Sequence, residues 1–231
     1  MLVVRRGKRR GDGAGSTAVA DGVIPPAFRL MLGLSIVLMV VVVVLITRIR
    51  SGASGQYADQ PLPVLKEVPR FSLTERDGRI VTPDDLLGSV WVAGFFFTSC
   101  TGPCPELSLR MRSLQEGLRQ FNGEAKLVSF SVDPSFDTPA VLSVYAKRYS
   151  ADPKLWWFLT TESEQAMHSL VKEGFLQALS PRTAGSAIIH TTQLLLVDQG
   201  GRIRTWYDGL DPGSKRLALR DVKKLLAEPT P

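Results

Sequence analysis

VWVAGFFFTSCTGPCPELSLRMRSLQEGLRQF, residues Val90–Phe121, holds both cysteines of the chain and a change of hydrophobic period. Val90–Phe97 is an unbroken apolar, β-branched and aromatic run, expected of a strand covered on both faces. After Cys104, apolar side chains recur at Leu107, Met111, Leu114, Leu118 and Phe121, spacings of three and four that predict a helix from Pro105 to Phe121. A buried strand feeding a helix through a cysteine-bearing turn is one half of a parallel βαβ unit.

The pattern continues on both sides. FSLTERDGRIV turns at Asp77–Gly78, a predicted hairpin. Lys126–Val132 and Leu155–Thr160 read as further buried strands. Between them TPAVLSVYAKRY predicts a helix with Thr138 as N-cap and Pro139 in its first position. QAMHSLVKEGF predicts a short helix closed near Gly174. TTQLLLVDQGGRIRTWY reads as a hairpin turning at Gly200–Gly201, and SKRLALRDVKKLLAE as a terminal amphipathic helix. The expected fold is α/β: a thioredoxin-like central mixed sheet flanked by helices.

The 231 residues carry a net charge of +6. Of the 28 basic and 22 acidic side chains, eight basic and two acidic lie within residues 1–50, and the remainder holds twenty of each. The positive excess therefore surrounds one segment and does not argue for nucleic acid. That segment is LMLGLSIVLMVVVVVLI, Leu30–Ile46, without a charge and apolar all round. At 1.5 Å per residue it would span roughly 26 Å, near the short end of what crosses a hydrocarbon core. A cleaved signal has a shorter apolar region and an A-x-A-like site, which TRIRSGASG lacks. The expectation is an uncleaved anchor, residues 30–47, after a basic arm, residues 1–29. Six basic residues precede the span, which puts the N-terminus in the cytoplasm and the rest outside it. The arm, interrupted by glycine and aspartate, is unconvincing as a mitochondrial transit peptide, so a bacterial inner membrane with a periplasmic domain is expected. A mitochondrial protein would keep the same topology. Residues 48–63 read as a flexible tether, and residues 64–231 as one domain with a single core.

Two cysteines placed at random in this chain would fall four apart about one time in a hundred, so Cys100 and Cys104 form an informative pair. At a helix N-terminus both thiols are expected to have depressed pKa values. Positions one helical turn apart suit a disulfide or two thiolates on one metal ion. A purely structural staple would constrain little, because its loop is so short. Three intervening residues, one more than in thioredoxin-type motifs, count against a plain oxidoreductase. Two thiolates suit Cu(I), whereas zinc would need four ligands. His168 sits in a short amphipathic helix and reads as an ordinary half-buried residue. His190, at a loop-to-strand junction, is placed to complete a Cys2His set or to be satisfied in a turn. Asp133 and Asp137 flank Pro134 before a helix, where turn formation and capping explain them, with Asp137 near the metal as the sharper alternative. Asp84–Asp85 fits a short helix start, and Phe95–Phe97 and Trp156–Phe158 read as strand core. There is no GxGxxG, Walker or HExxH sequence, and no residue set for a peroxide pocket.

Three segments, Thr98–Leu107, Ser129–Tyr149 and His190–Pro212, resemble the landmark segments of the Sco/SenC copper proteins. The resemblance covers nearly all of residues 65–228. It implies a thioredoxin-like domain that binds copper, Cu(I) or Cu(II), through Cys100, Cys104 and His190. It also implies a metallochaperone role in assembling the binuclear copper centre of cytochrome c oxidase. The oxidase subunit carrying that site would be the partner, with an upstream copper donor or thiol reductant. Two departures stand out. Thr101–Gly102–Pro103 replaces a spacer that often begins with proline and carries an acidic residue. Ile189 stands where a familiar version has aspartate, which bears on the support of His190. The alternative function is a membrane-tethered thiol–disulfide oxidoreductase, with Cys100 attacking and Cys104 resolving.

Overall fold

A computed structural model describes residues 31–45, 60–180 and 188–229. The chain divides into two units, Met1–Gln60 and Pro61–Pro231. In the first, residues 31–45 form helix α1, every residue of it exposed. Among the described residues no helix is long and apolar enough to cross a membrane. The two ends of the expected span, Leu30 and 46–47, lie outside the described residues, as do the basic arm and most of the tether.

The second unit is built on an eight-stranded mixed sheet. Its centre is β4 (Val90–Phe96), β5 (Ala125–Ser131) and β6 (Trp156–Thr160), mutually parallel and linked through α2 (Cys104–Leu118) and α3 (Pro139–Arg148). On one side β9 (Gln193–Val197) runs antiparallel to β4, followed by β10 (Arg202–Asp208) and β1 (Lys66–Glu67). On the other, β2 (Leu73–Glu75) and β3 (Ile80–Val81) extend β6 as a hairpin. A separate two-stranded ribbon pairs β7 (Leu179–Ser180) with β8 (Ile189–His190). The helices α4 (Glu164–Ser169) and α5 (Ser214–Leu226) complete the unit.

Period-two alternation decides which residues face which layer. Phe95 and Phe130 stack at 5.6 Å and pack against Phe175, just beyond α4. The alternate residues face α2 and α3: Phe96 packs on Tyr145, and a Cβ on Gly94 would lie 3.4 Å from Met111 Cε. Helices thus cover both faces, as expected. Both predicted turns use glycine at positive φ, Gly78 at 91° and Gly201 at 75°. Thr138 caps α3 by accepting from the Val141 N–H, with Pro139 behind it. Asp85 accepts from both the backbone N–H and the hydroxyl of Thr82 at the short 3-10 turn Pro83–Leu86, so the acidic pair is a helix start. Both aromatic runs are core, and Trp156 donates its indole N–H to Ser129 Oγ at 2.9 Å.

Periodicity alone misses β1, β7 and β8, each of two residues. β1 is held at the β10 edge by two register pairs and by Arg204. That guanidinium is 4% exposed, donates to the Leu62 and Pro63 carbonyls, and pairs with Asp198 and Glu228. One buried cation therefore ties the start of the second unit to β10 and the end of α5.

Candidate metal centre

At Phe96 the β4 strand ends, and the backbone turns through Thr98–Pro103 before α2 begins at Cys104. Pro103 and Pro105 bracket Cys104, and the fixed φ of proline favours the first turn of a helix there. Cys104 lies on the apolar stripe that continues through Leu107, Met111, Leu114 and Leu118, and its side chain is fully buried. Cys100, in the turn, is only partly covered.

His190 comes from the other side of the site. The β7–β8 ribbon pairs it with Leu179, and the Thr191 N–H donates to the Ala178 carbonyl at 3.0 Å. His190 Nδ1 lies 2.8 Å from the Thr191 carbonyl oxygen, an acceptor only, so Nδ1 carries the proton of the neutral ring. That leaves Nε2 with a lone pair, 3.0 Å from Cys104 Sγ. The edge of Phe97 meets the imidazole at 5.5 Å between centroids. Support for the ring thus comes from the backbone of its own successor, which a reading fixed on position 189 overlooks.

The Sγ atoms of Cys100 and Cys104 and a ring nitrogen of His190 all lie within 4.8 Å of one another. Both cysteines are free thiols. Two sulfurs and a nitrogen at this separation can hold a metal ion, and the two thiols can exchange between dithiol and disulfide.

The expected depression of both thiol pKa values fails at Cys104. Burial pushes that thiol well above its ordinary value, and a hydrogen bond with Cys100 adds to the rise. The helix N-terminus acts within one turn, but complete desolvation of the sulfur outweighs it. Burial also lowers the His190 pKa, with the Thr191 carbonyl partly opposing, so the imidazole stays neutral to lower pH.

His168 behaves as an ordinary half-buried histidine: Nε2 lies 3.0 Å from the Val132 carbonyl oxygen, with Glu164 at 3.7 Å. Asp137 departs from the turn-and-cap reading, since Thr138 caps α3. Its side chain is fully buried and accepts from the Thr98 N–H at 3.0 Å, from the Thr98 hydroxyl and from Ser131 Oγ at 2.5 Å. Desolvation raises the Asp137 pKa, against the pull of these three donors. Thr98 escaped the sequence reading because its partner lies 39 residues further on, and Ser131, six residues before Asp137, because it sits in a strand that reads as buried core.

A sequence model of the SCO1/SenC family matches residues 60–227. A SCO1 protein homolog of Bacillus subtilis (strain 168) is 31% identical over 169 residues, covering 73% of this chain and 86% of the relative. The structure of BsSco is described as that of a member of the Sco family of cytochrome c oxidase assembly proteins, with a disulfide switch. It is 31% identical, with a TM-score of 0.67 over 74% of this chain and 100% of that one. Bradyrhizobium japonicum ScoI, solved with copper bound, aligns with a TM-score of 0.58 over 69% of this chain and 99% of that one. At 23% identity that likeness speaks for the fold.

Proposed function

The chain belongs to the SCO1/SenC family, and from that membership we propose that it is a copper-binding assembly factor for the binuclear copper centre of cytochrome c oxidase. Copper is the cargo, held by Cys100, Cys104 and His190. The observation that carries the reading is the approach of His190 Nε2 to Cys104 Sγ at 3.0 Å, with Nδ1 committed to the Thr191 carbonyl. A dithiol reductant has no need of an imidazole lone pair turned toward its buried sulfur.

The donor set suits copper. Two soft sulfurs satisfy Cu(I), and an imidazole nitrogen accommodates Cu(II); a structural zinc would ask for a fourth ligand. Both thiols must lose their protons to bind, so affinity falls as pH falls. Partial exposure of Cys100 and His190 leaves a side from which a partner's ligands can take the ion by exchange.

The domain plan proposed with this function is a basic arm (1–29), a membrane anchor (30–47), a tether (48–63) and the Sco domain (64–231). The charge-free run Leu30–Ile46 and the six basic residues before it support an anchor with the N-terminus in the cytoplasm and the domain outside. Retention of the chain in membranes washed at alkaline pH would bear this out, and release into the wash would contradict it.

A second reading, thiol–disulfide exchange on the oxidase cysteines, is favoured by one observation: Cys100 is accessible while Cys104 is buried beside it. That is the arrangement of an attacking and a resolving thiol. The experiment that separates the two is anaerobic titration of the reduced full chain with Cu(I). One copper per chain, lost in both Cys100→Ser and Cys104→Ser, upholds the carrier. No tight copper, with rapid exchange against a disulfide, upholds the reductant.

A further inference from the structure

The turn that presents Cys100 has little of its own to hold it. Its start is held by the Cys100 N–H to Phe97 carbonyl bond, at a long 3.3 Å, and its end by the Pro103 carbonyl, which accepts from the Leu107 N–H at 2.9 Å. Apart from the Cys104–Cys100 thiol contact, the side-chain hydrogen bonds found to reach this turn among the described residues come from Asp137. One carboxylate oxygen takes the Thr98 N–H and Ser131 Oγ, and the other takes the Thr98 hydroxyl. Thr98 stands two residues before Cys100, and Ser131 is the β5 residue in register with Phe96 of β4. The carboxylate thus bridges the ends of two parallel strands at the point where one of them releases the cysteine turn.

Asp137 is itself firmly placed. Its N–H donates to the Asp133 carbonyl at 2.9 Å, His168 Nε2 contacts the Val132 carbonyl, and Ser135 Oγ donates to Glu164 at 3.1 Å. A loop tied to α4 at its start and its middle therefore carries the group. Burying a carboxylate this completely is costly unless its hydrogen bonds are all made, and an apolar side chain would fill the same space more cheaply. Filling space does not account for it.

We propose that Asp137 is a positioning residue: by gripping the backbone and hydroxyl of Thr98 it fixes where Cys100 sits relative to Cys104 and His190. The inference rests on the thiol site proposed above and adds the device that keeps it assembled before any metal arrives. Asparagine would keep one oxygen for the Thr98 N–H and Ser131 Oγ but would have to reverse the bond to the Thr98 hydroxyl and would lose the charge that strengthens all three.

The test compares two single hydroxyl deletions on the same carboxylate in the full chain, purified in detergent. Thr98→Val removes the donor on the cysteine turn, and Ser131→Ala removes the donor on the strand. A purely structural carboxylate makes the two equivalent, each lowering the unfolding midpoint. The positioning role makes them differ in a readout that stability does not set. This is the rate at which metal-free, reduced protein closes the Cys100–Cys104 disulfide with glutathione disulfide, two protein thiols being oxidised and two glutathione thiols released. Thr98→Val slows closure by roughly fivefold to tenfold, the effect of one charge-assisted hydrogen bond, and weakens Cu(II) binding similarly. Ser131→Ala stays within about twofold, and Thr98→Ser, which keeps the hydroxyl, restores the parent rate. A Thr98→Val rate equal to the parent's, or a Ser131→Ala rate slowed as far as that of Thr98→Val, overturns the proposal. The disulfide arm needs no metal, so a parent chain that binds no copper would sink the carrier reading and leave this one standing.

Discussion

Replacing Gly209 with alanine probes how the two halves of the site are held together. Gly209 lies just after β10, and its N–H donates to the Thr192 carbonyl at 3.0 Å. A Cβ there would stand 2.3 Å from Leu107 Cδ1, 2.4 Å from the Thr192 carbonyl oxygen and 3.2 Å from Leu194 Cγ. Leu107 is three residues after Cys104, and Thr192 two after His190. The missing side chain is thus the gap that lets the start of α2 and the histidine segment close on each other. Leu107 can rotate its terminal methyl aside, but a backbone carbonyl has no such freedom. Separations more than an ångström below van der Waals contact must be relieved by moving Thr192 and the Thr191 carbonyl beside it. Overpacking of this kind costs about 1–3 kcal/mol, a Tm lower by roughly 3–10 °C for a unit of this size. Since the Thr191 carbonyl orients the imidazole, the displacement should also weaken Cu(II) binding by roughly tenfold. Thermal unfolding and a Cu(II) competition titration measure the two effects. G209A with the parent's Tm and the parent's Cu(II) affinity would refute the close-approach argument.

The tautomer of His190 is open to NMR on the metal-free protein. The ring is expected to carry its proton on Nδ1 and to titrate below 6.5, its ordinary value, because burial disfavours the cation. A folded pKa below the unfolded one gives stability that is present above about pH 6.5 and lost as pH falls through the folded value. A proton on Nε2, or a midpoint at or above 6.5, would contradict the geometry. Arg204→Ala should lower stability by about 2–3 kcal/mol in denaturant unfolding, because it leaves the buried Asp198 carboxylate with Arg202 as its remaining cation and the Leu62 carbonyl without the guanidinium donor. Glu228→Ala, whose side chain is 30% exposed, should cost no more than about 1 kcal/mol; equal losses in the two variants would show that the Arg204 network has been misread.

The elements read correctly from sequence are those whose burial imposes a period. β4 is covered on both faces and reads as a solid apolar run, while α2 shows its stripe at spacings of three and four. Hairpins announced themselves through Asp77–Gly78 and Gly200–Gly201, where the backbone needs a positive φ. The β7–β8 ribbon that carries His190 is too short to hold a period, and it is fixed by tertiary pairing. Cys104 is instructive because its burial was legible: it stands three before Leu107 and seven before Met111, on the apolar stripe. The helix-end argument for a low thiol pKa overlooked that stripe, and desolvation won. Asp137 was open to two readings, a cap or a group near the metal, and a carboxylate before Thr-Pro looks like a cap because its Thr98 partner lies 39 residues away in sequence. His190 was identified as a candidate, yet the Thr191 carbonyl that orients it is a backbone atom, and no side-chain pattern reports it.

The central claim is that Cys100, Cys104 and His190 form one copper site. It is tested most directly by titrating the full chain with Cu(II) beside His190→Ala and following the sulfur-to-copper charge-transfer absorption. The account predicts one Cu(II) per parent chain with that absorption, and its loss in the variant while Cu(I) binding by the two thiols persists. A variant that binds Cu(II) with the parent's affinity and spectrum would contradict it.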